Sequence, residues 1–404
     1  MMTVGSEFIA GPVANLLLGI CAAPEISHAS RFAKLQEDDW DELVQRSLDL
    51  RIAPLLSQAV SISNIQDSVP AESADRLNAV QRQYALLVLK RSSAMARINS
   101  LLREGGLVPV FLKGSALAYL TYPASALRPS RDVDILLRPA EAEKAQDILL
   151  KSGEFTEHTQ IPYNQICRHH LFPLQHMETG VAVEVHRALK DLADWSGEGA
   201  LITMLLSDLR TVSVLGEQLA VASDMANLMH LIMHAGRASY LDNGPLTLAD
   251  LHYLNSGSEF DFAQARRTAE RLELGNSFAM LCELARKHGA RWVDPGFAQR
   301  SAVVCHLEAA EQAMLPTPAD IEDNRLVRRV ERHLRSAGAF GPLKMALSPD
   351  RKALALLAGV EQSSSLKWLA YPRWLYGRIA RYLALRRNRD LDSAQAMRDW
   401  LGSG

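Results

Sequence analysis

The sequence predicts an α+β fold in which a small core of short strands and helices lies between two helical regions. Apolar residues recur at helical spacing in residues 1–100. One such run comprises Leu77, Val80, Tyr84, Leu87 and Val88. Residues 101–222 instead carry apolar runs of strand length, and helical spacing returns in residues 223–404. We therefore predict an N-terminal helical region, a core and a C-terminal helical domain with these bounds, which suits a chain of 404 residues.

The first apolar run, at residues 8–23, has the composition of a secretion signal but lacks its charge pattern. Glu7 precedes the run and no Lys or Arg does, so we predict a buried helix. No later run is long enough to cross a membrane, and we expect no membrane insertion. The four cysteines form no CxxC pair, which favours a reducing, cytoplasmic location. The formal net charge of −2 gives no overall attraction for nucleic acid or membrane.

The core begins with a short apolar strand at residues 107–112, which breaks at Lys113, Gly114 and Ser115. Glycine lets the backbone approach a ligand closely, and serine commonly caps the start of a helix. We therefore expect Ser115 to cap the next helix, whose exposed N–H groups would face a phosphate. Lys113 is either a phosphate ligand or a structural residue.

A second strand carries Asp132 and Asp134 among apolar residues. Residues two apart on a strand point to the same face, so the two carboxylates lie together. A divalent cation relieves their repulsion, and oxygen ligands suit Mg²⁺. Glu184 stands between valines in a further strand, so three carboxylates converge on a patch for two metals if the strands are neighbours. Arg131 either neutralises a phosphate or pairs with Asp132.

The remaining elements follow from local pattern. In chain order they are a helix at 140–150, strands at 169–176 and 181–186, a hairpin at 211–222, and helices at 246–254, 262–288 and 302–314. Residues 178–180 form the turn between the two strands, and Gly216 marks the turn of the hairpin. Asp224 begins the C-terminal helical pattern.

Five motifs, taken in order, resemble a known family. They are Leu112-Lys113-Gly114, Tyr122-Pro123, Leu127-Arg128-Pro129, Asp132-Val133-Asp134-Ile135-Leu136-Leu137 and Glu184-Val185-His186. The combination resembles the uncharacterised bacterial nucleotidyltransferase family proteins, a branch of the DNA polymerase β-type nucleotidyltransferase superfamily. The gap from Gly114 to Asp132 is longer than in compact members of the superfamily and fits the narrower branch. The resemblance implies a small mixed-sheet nucleotidyltransferase core flanked by helical regions.

The resemblance also implies a function, which is metal-dependent transfer of a nucleoside monophosphate from an NTP, ATP by default, to a hydroxyl acceptor. Asp132, Asp134 and Glu184 would be the catalytic and metal-binding residues, with two Mg²⁺ ions, or Mn²⁺ in their place. The nucleotide-binding residues would be Lys113, Gly114, Ser115, Arg128 and His186. The acceptor stays open among a small molecule, a peptide or protein, and an RNA end. The alternative is a catalytically silent, antitoxin-like regulatory module with the same fold.

Three further patterns have a structural interpretation beside a functional one. His230 and His234 are spaced like zinc ligands but lack the glutamate of a metalloprotease, so we interpret them as core or domain-interface residues. A local Cys/His group matches no common zinc module, and its members are Cys167, His169, His170 and His176. Basic and aromatic residues alternate at 367–389 in a helix that could bind RNA or a membrane surface. We favour the interpretation that this helix has an ordinary apolar side facing the core and a basic side facing solvent.

Overall fold

The computed structural model describes most of the chain. The described residues are 11–158, 169–189, 195–256, 260–297, 301–317, 320, 351–361, 364–377 and 389–403. They fall into two compact units, formed by the described parts of Met1–Leu315 with Arg398–Gly404 and of Pro316–Met397. The fold is mixed α/β, with a seven-stranded sheet flanked by helices in the first unit, as the sequence predicts.

Helices make up more than half of the described part of the first unit. They are α1 (Pro12–Ala22), α2 (Ala29–Phe32), α3 (Glu37–Asp49), α4 (Ala53–Ile62), α5 (Ala71–Glu104), α6 (Lys113–Leu120), α7 (Pro139–Lys151), α8 (Glu198–Ser207), α9 (Asp224–Ile232), α10 (Leu246–Asn255), α11 (Phe262–Arg271), α12 (Gly275–Lys287), α13 (Ser301–Val304) and α14 (Leu307–Met314). Shorter 3₁₀ segments occupy Gln66–Ser68 and Ser125–Leu127, and a π-helical turn, Met233–Ala238, extends α9. Local sequence fixes several helix starts, since Pro12 opens α1 and the Ser223 and Asp261 side chains cap α9 and α11.

The strands are short and form a mixed sheet. They are β1 (Val110–Phe111), β2 (Asp132–Leu136), β3 (Phe155–Glu157), β4 (Leu174–His176), β5 (Ala182–His186), β6 (Leu209–Val214) and β7 (Glu217–Ala222). Their order across the sheet is β3-β4-β5-β2-β1-β7-β6. The β2–β5 and β1–β7 pairs are parallel and the other neighbours are antiparallel. The apolar run at 107–112 thus supplies only a two-residue strand.

One face of the sheet is covered by α5 and α7. The apolar residues of β2 and β5 are buried there against the C-terminal half of α5, where Met95, Ile98 and Leu102 have no exposed surface. Full burial of each such side chain stabilises the fold by about 1.5–3 kcal/mol. Because side chains alternate along a strand, this packing directs the acidic residues of β2 and β5 to the opposite face.

The β6–β7 hairpin confirms the turn expected at Gly216. Leu215 and Gly216 have φ values of 51° and 86°. Positive φ at both central residues matches the right-handed twist of the flanking strands. The buried N-terminal helix is likewise present, as α1.

The second unit is mainly helical in its described part. It contains α15 (Arg351–Ala358), which packs against a 3₁₀ helix at Ser365–Ala370, a helical segment at 371–377 and the beginning of α16 (Arg389–Gly402). Of the basic, aromatic helix expected at 367–389, residues 378–388 lie outside the described residues. Among the described residues, no helix combines the length and the apolar character needed to cross a membrane.

Candidate functional site

The acidic face of the sheet is set by the register of β2 and β5. Asp134 lies opposite Glu184, and Leu136 lies opposite His186. Because alternate residues share a face, Asp132, Asp134, Glu184 and His186 all belong to the same side of the sheet. The Asp132 and Glu184 strands are therefore neighbours, which is the condition that the sequence analysis set for convergence of their carboxylates.

Three of these side chains form a tight cluster. His186 Nε2 lies 2.7 Å from Asp134 Oδ1 and 3.4 Å from Glu184 Oε2. Among the described residues, Asp134, Glu184 and His186 are the group whose ligand atoms all lie within 4.8 Å of one another, and they could hold a metal ion. Asp132 is not part of this group. The convergence therefore differs from the acidic trio expected from sequence, since a histidine takes the place of the first aspartate.

Lys113 contacts the cluster through Asp134. Its Nζ donates a hydrogen bond to Asp134 Oδ1 at 2.8 Å. Lys113 is the first residue of α6 and has a φ of 49°, in the left-handed region that non-glycine residues rarely adopt. This unusual backbone lies beside Asp134, because the Leu112 N–H donates to the Asp134 carbonyl at 3.0 Å. In this structure Lys113 is thus a charge partner of the acidic cluster.

These contacts set the protonation states of the acidic cluster. Burial opposes ionisation of Asp134, but the Lys113 charge and the His186 hydrogen bond outweigh it and hold its pKa well below the usual range. Burial and Lys113 disfavour protonated His186, yet its hydrogen bonds to the two carboxylates raise its pKa overall. Burial, followed by the charge of Asp134, raises the pKa of Asp132. The cluster is therefore built around an ionised Asp134 that cationic groups surround.

The start of α6 differs from the expected phosphate-facing cap. The helix begins at Lys113, so Ser115 already lies within its first turn. Ser115 is buried, and its hydroxyl donates to the Leu112 carbonyl at 2.6 Å. The expectation that Ser115 caps this helix is therefore wrong, because the helix starts two residues earlier.

Gly114 is buried and packs closely against other residues of the protein. A Cβ at Gly114 would lie 2.7 Å from Arg128 Nη1 and 3.0 Å from the Ser130 side chain. Ser130 in turn donates to Asp132 Oδ1 at 3.0 Å. Glycine is thus required here so that the segment leading into β2 can pack against α6.

Arg128 is held by a partner that sequence reasoning missed. Its Nε and Nη2 donate to the two oxygens of Asp250 at 2.7 and 2.8 Å, and the Tyr122 hydroxyl donates to the same carboxylate at 2.7 Å. Burial opposes the charge on Arg128, but Asp250 raises its pKa above the ordinary value. The sequence feature that could have indicated this partner was Asp250, a single acidic residue within the apolar pattern of α10. No ion pair joins Arg131 to Asp132 among the described residues.

The histidines fall into separate environments. His170 Nε2 lies 3.9 Å from Glu184 Oε2, so His170 borders the cluster, a position that sequence reasoning did not assign. His176 instead hydrogen-bonds the Thr179 side chain, and Cys167 lies outside the described residues. His230 is buried, and its burial, together with the charges of Lys113 and His186, lowers its pKa to about 3. His230 is therefore a neutral core residue, in line with its structural interpretation.

Comparisons with known proteins give a family but no individual relative. Neither the curated proteins nor the solved structures contain a match to this chain. The family model of uncharacterised nucleotidyltransferases matches residues 36–289, a span that includes the whole sheet and the acidic cluster. Since this match covers more than half of the chain, the resemblance seen in the five motifs is confirmed at the level of this family. The chain belongs to the family of uncharacterised nucleotidyltransferases.

Proposed function

We propose that this protein transfers a nucleoside monophosphate from an NTP to a hydroxyl acceptor and releases pyrophosphate, with a divalent cation bound at the acidic cluster. The observation that carries the proposal is the cluster of Asp134, Glu184 and His186 on one face of the sheet, in a chain of this family. ATP is the default nucleotide. The acceptor is a hydroxyl on a small molecule, a peptide or protein, or an RNA end.

The donor set of the cluster fits one divalent cation. Two carboxylates and one imidazole provide hard oxygen ligands and a nitrogen ligand, which suit Mg²⁺ and Mn²⁺ with the imidazole favouring the latter. Such an ion would polarise the α-phosphate and lower the pKa of the acceptor hydroxyl. Lys113 Nζ and His186 Nε2 both contact Asp134 Oδ1, so an ion bound through that oxygen would compete with these two contacts.

The remaining groups have roles in the transfer itself. The acceptor oxygen forms a bond to the α-phosphorus while the bond from this phosphorus to the bridging oxygen of the β-phosphate breaks. Glu184 is half-buried in the cluster and would take the hydroxyl proton as general base. Lys113, released from Asp134, would stabilise the negative charge that develops on pyrophosphate. Asp132 faces the same side and would orient the nucleotide or a second ion.

A silent regulatory module is the second candidate, and one observation favours it. Asp134 already receives hydrogen bonds from both Lys113 and His186, which satisfy its charge without a metal. A protein that had lost turnover could retain this arrangement as a structural ion pair. The two candidates differ in whether the nucleotide is cleaved.

Calorimetric titration with each of the four NTPs, with and without Mg²⁺ or Mn²⁺, tests the site. The proteins are the wild type, Asp132→Asn, Asp134→Asn and the control Asp147→Asn, whose exposed carboxylate lies on α7. We expect metal-dependent binding that is lost in the two site variants and retained in the control. Absence of binding to every nucleotide, or equal binding by all four proteins, would refute the site.

Slow hydrolysis distinguishes the enzyme from the silent module. Water can replace the acceptor, so a sensitive pyrophosphate assay with the bound NTP requires no knowledge of the natural acceptor. We expect metal-dependent pyrophosphate release that Glu184→Gln slows by about 100-fold, the size of a general-base contribution. Nucleotide binding without pyrophosphate release, in the presence of candidate hydroxyl acceptors as well, would favour the regulatory module.

A further inference from the structure

His170 lies opposite His186 and shares its face of the sheet. The two residues form an antiparallel bridge, and the Leu171 N–H donates to the Val185 carbonyl at 2.9 Å. Side chains of directly opposed residues on neighbouring strands point to the same face of a sheet. The centroids of the two imidazole rings are accordingly 5.4 Å apart. The backbone therefore brings a second imidazole to the acidic face.

One hydrogen bond fixes the tautomer of His170. Its Nδ1 lies 2.7 Å from the Leu171 carbonyl oxygen. A carbonyl oxygen can only accept, so Nδ1 carries the proton and the lone pair of the neutral ring is on Nε2. Histidines that bind a metal typically have this arrangement, in which the second ring nitrogen donates to a carbonyl or a carboxylate. His170 is therefore in the tautomer that binds a metal through Nε2.

His170 Nε2 lies near the Glu184 carboxylate. Its distance to Glu184 Oε2 is 3.9 Å, which is too long for a hydrogen bond. Two ligand atoms that are each about 2.1 Å from one ion can be up to about 4.2 Å apart, so this separation fits a shared ion. His186 Nε2 lies 3.4 Å from the same oxygen. An ion bound to Glu184 Oε2 would thus have two imidazole nitrogens as neighbours.

Glu184 is also the most exposed member of this group. Its side chain is 26 % exposed, whereas the side chains of His170, Asp134 and His186 are 8 %, 4 % and 2 % exposed. Lys113 Nζ compensates the charge of Asp134 at a distance of 2.8 Å. An ion from solvent can therefore reach the Glu184 carboxylate directly, and there it would balance a negative charge.

We propose that His170 is a ligand of the metal ion at this site and that it makes the site selective for a first-row transition-metal ion over Mg²⁺. Glu184 Oε2 and His170 Nε2 bind the ion, and Asp134 or His186 supplies a further ligand. Imidazole suits transition metals, whereas Mg²⁺ prefers oxygen ligands and keeps several waters. The inference rests on the proposed function for the role of the ion in nucleotidyl transfer.

Calorimetric titration of the full chain with Co²⁺, Mn²⁺ and Mg²⁺, each alone and with ATP added, tests the ligand. In His170→Asn the shorter amide can still donate to the Leu171 carbonyl but has no atom at the position of Nε2. The matched control is His176→Asn, since His176 is also buried and its Nδ1 contacts the Thr179 side chain. We expect His170→Asn to weaken Co²⁺ and Mn²⁺ binding by about 10- to 100-fold, with little change for Mg²⁺. His176→Asn should bind like the wild type.

The visible absorption spectrum of bound Co²⁺ separates ligation from a structural role. We expect this spectrum to change in His170→Asn but not in His176→Asn, and the urea midpoint of metal-free His170→Asn to stay close to that of the wild type. If His170 were only a cation paired with Glu184, its removal would leave the Co²⁺ affinity unchanged or raise it, which would overturn the proposal. Wild-type protein that binds Mg²⁺ as tightly as Co²⁺ would overturn it as well.

The outcomes also distinguish this inference from the proposed function. Metal-dependent NTP binding and pyrophosphate release, with the same Co²⁺ affinity and spectrum in His170→Asn as in the wild type, would overturn the inference and leave the proposed function intact. Co²⁺ binding that depends on His170, without binding of any NTP, would support the metal ligand and refute nucleotidyl transfer. Absence of binding of all three metals, alone and with ATP, would refute both.

Discussion

Replacing Asp250 with Asn tests how strongly the segment before β2 depends on a residue of α10. The side chains of Arg128 and Asp250 are 13 % and 2 % exposed and share two short hydrogen bonds. Asp250→Asn keeps the shape but removes the charge, so Arg128 remains buried without compensation. Breaking a buried pair in this way costs about 3–5 kcal/mol. Since whole domains are stable by about 5–15 kcal/mol, the loss would be a large share of the total.

Urea denaturation followed by circular dichroism measures this loss. Tyr122→Phe removes one hydrogen bond to the same carboxylate and should cost about 1 kcal/mol. Asp147→Asn removes an exposed pair with Lys151 and should cost at most about 0.5 kcal/mol. The double variant Arg128→Met/Asp250→Leu should be more stable than Asp250→Asn, because apolar residues replace the whole pair. A loss below about 1 kcal/mol for Asp250→Asn would refute the argument that Asp250 compensates a buried charge.

Three other perturbations follow from the same site. Asp134→Asn should lower the free energy of unfolding by about 3 kcal/mol, because it leaves buried cations uncompensated. Asp132→Asn should leave it unchanged or raise it, because burial and Asp134 already raise the pKa of the Asp132 carboxyl. Urea midpoints of the two variants at pH 7 test this contrast. His230 is neutral in the fold, with a pKa of about 3 against an ordinary 6.5, so its contribution is complete above pH 6.5 and is lost as the pH falls towards 3. At pH 5 the loss is about 2 kcal/mol, and His230→Leu should show a smaller drop in urea midpoint between pH 7 and pH 5 than the wild type. Gly114→Ala should lower the free energy of unfolding by about 1–3 kcal/mol, because the added methyl group would clash with Arg128. Gly199→Ala in α8, where a Cβ would meet open space, should be neutral or stabilising. Melting temperatures that rank the two variants the other way would contradict the packing at Gly114.

The elements of the sheet could be predicted because their signals are local. Alternation of valine with acidic residues defines β2 and β5, and Gly216 defines the hairpin turn. The shared face of Asp132 and Asp134 follows from the same period of two. Local pattern does not reveal which strands are neighbours, so the sequence could give the pairing of β2 with β5 only as a condition for the three carboxylates to converge.

The partners of the charged residues could not be predicted because they are distant in sequence. Asp250 is 122 residues from Arg128, and Arg91 is 37 residues from the carbonyl that it contacts. The periodicity of a sequence indicates which side of a helix or strand is buried, but it does not indicate which charged residue from another element contacts that side. The start of α6 was mispredicted for a different reason, since the Ser115 hydroxyl donates to the carbonyl of Leu112, the residue before the helix, instead of capping the helix.

The charges of the acidic cluster are compensated within the protein before any ligand binds. Lys113 and His186 both contact Asp134 Oδ1, so a cation that binds through this oxygen would compete with existing partners. Under the proposed function, the phosphate oxygens of a nucleotide would offer the Lys113 ammonium an alternative to Asp134. The proposed function therefore favours a sequence in which the nucleotide binds first and the acidic cluster becomes available for the cation second.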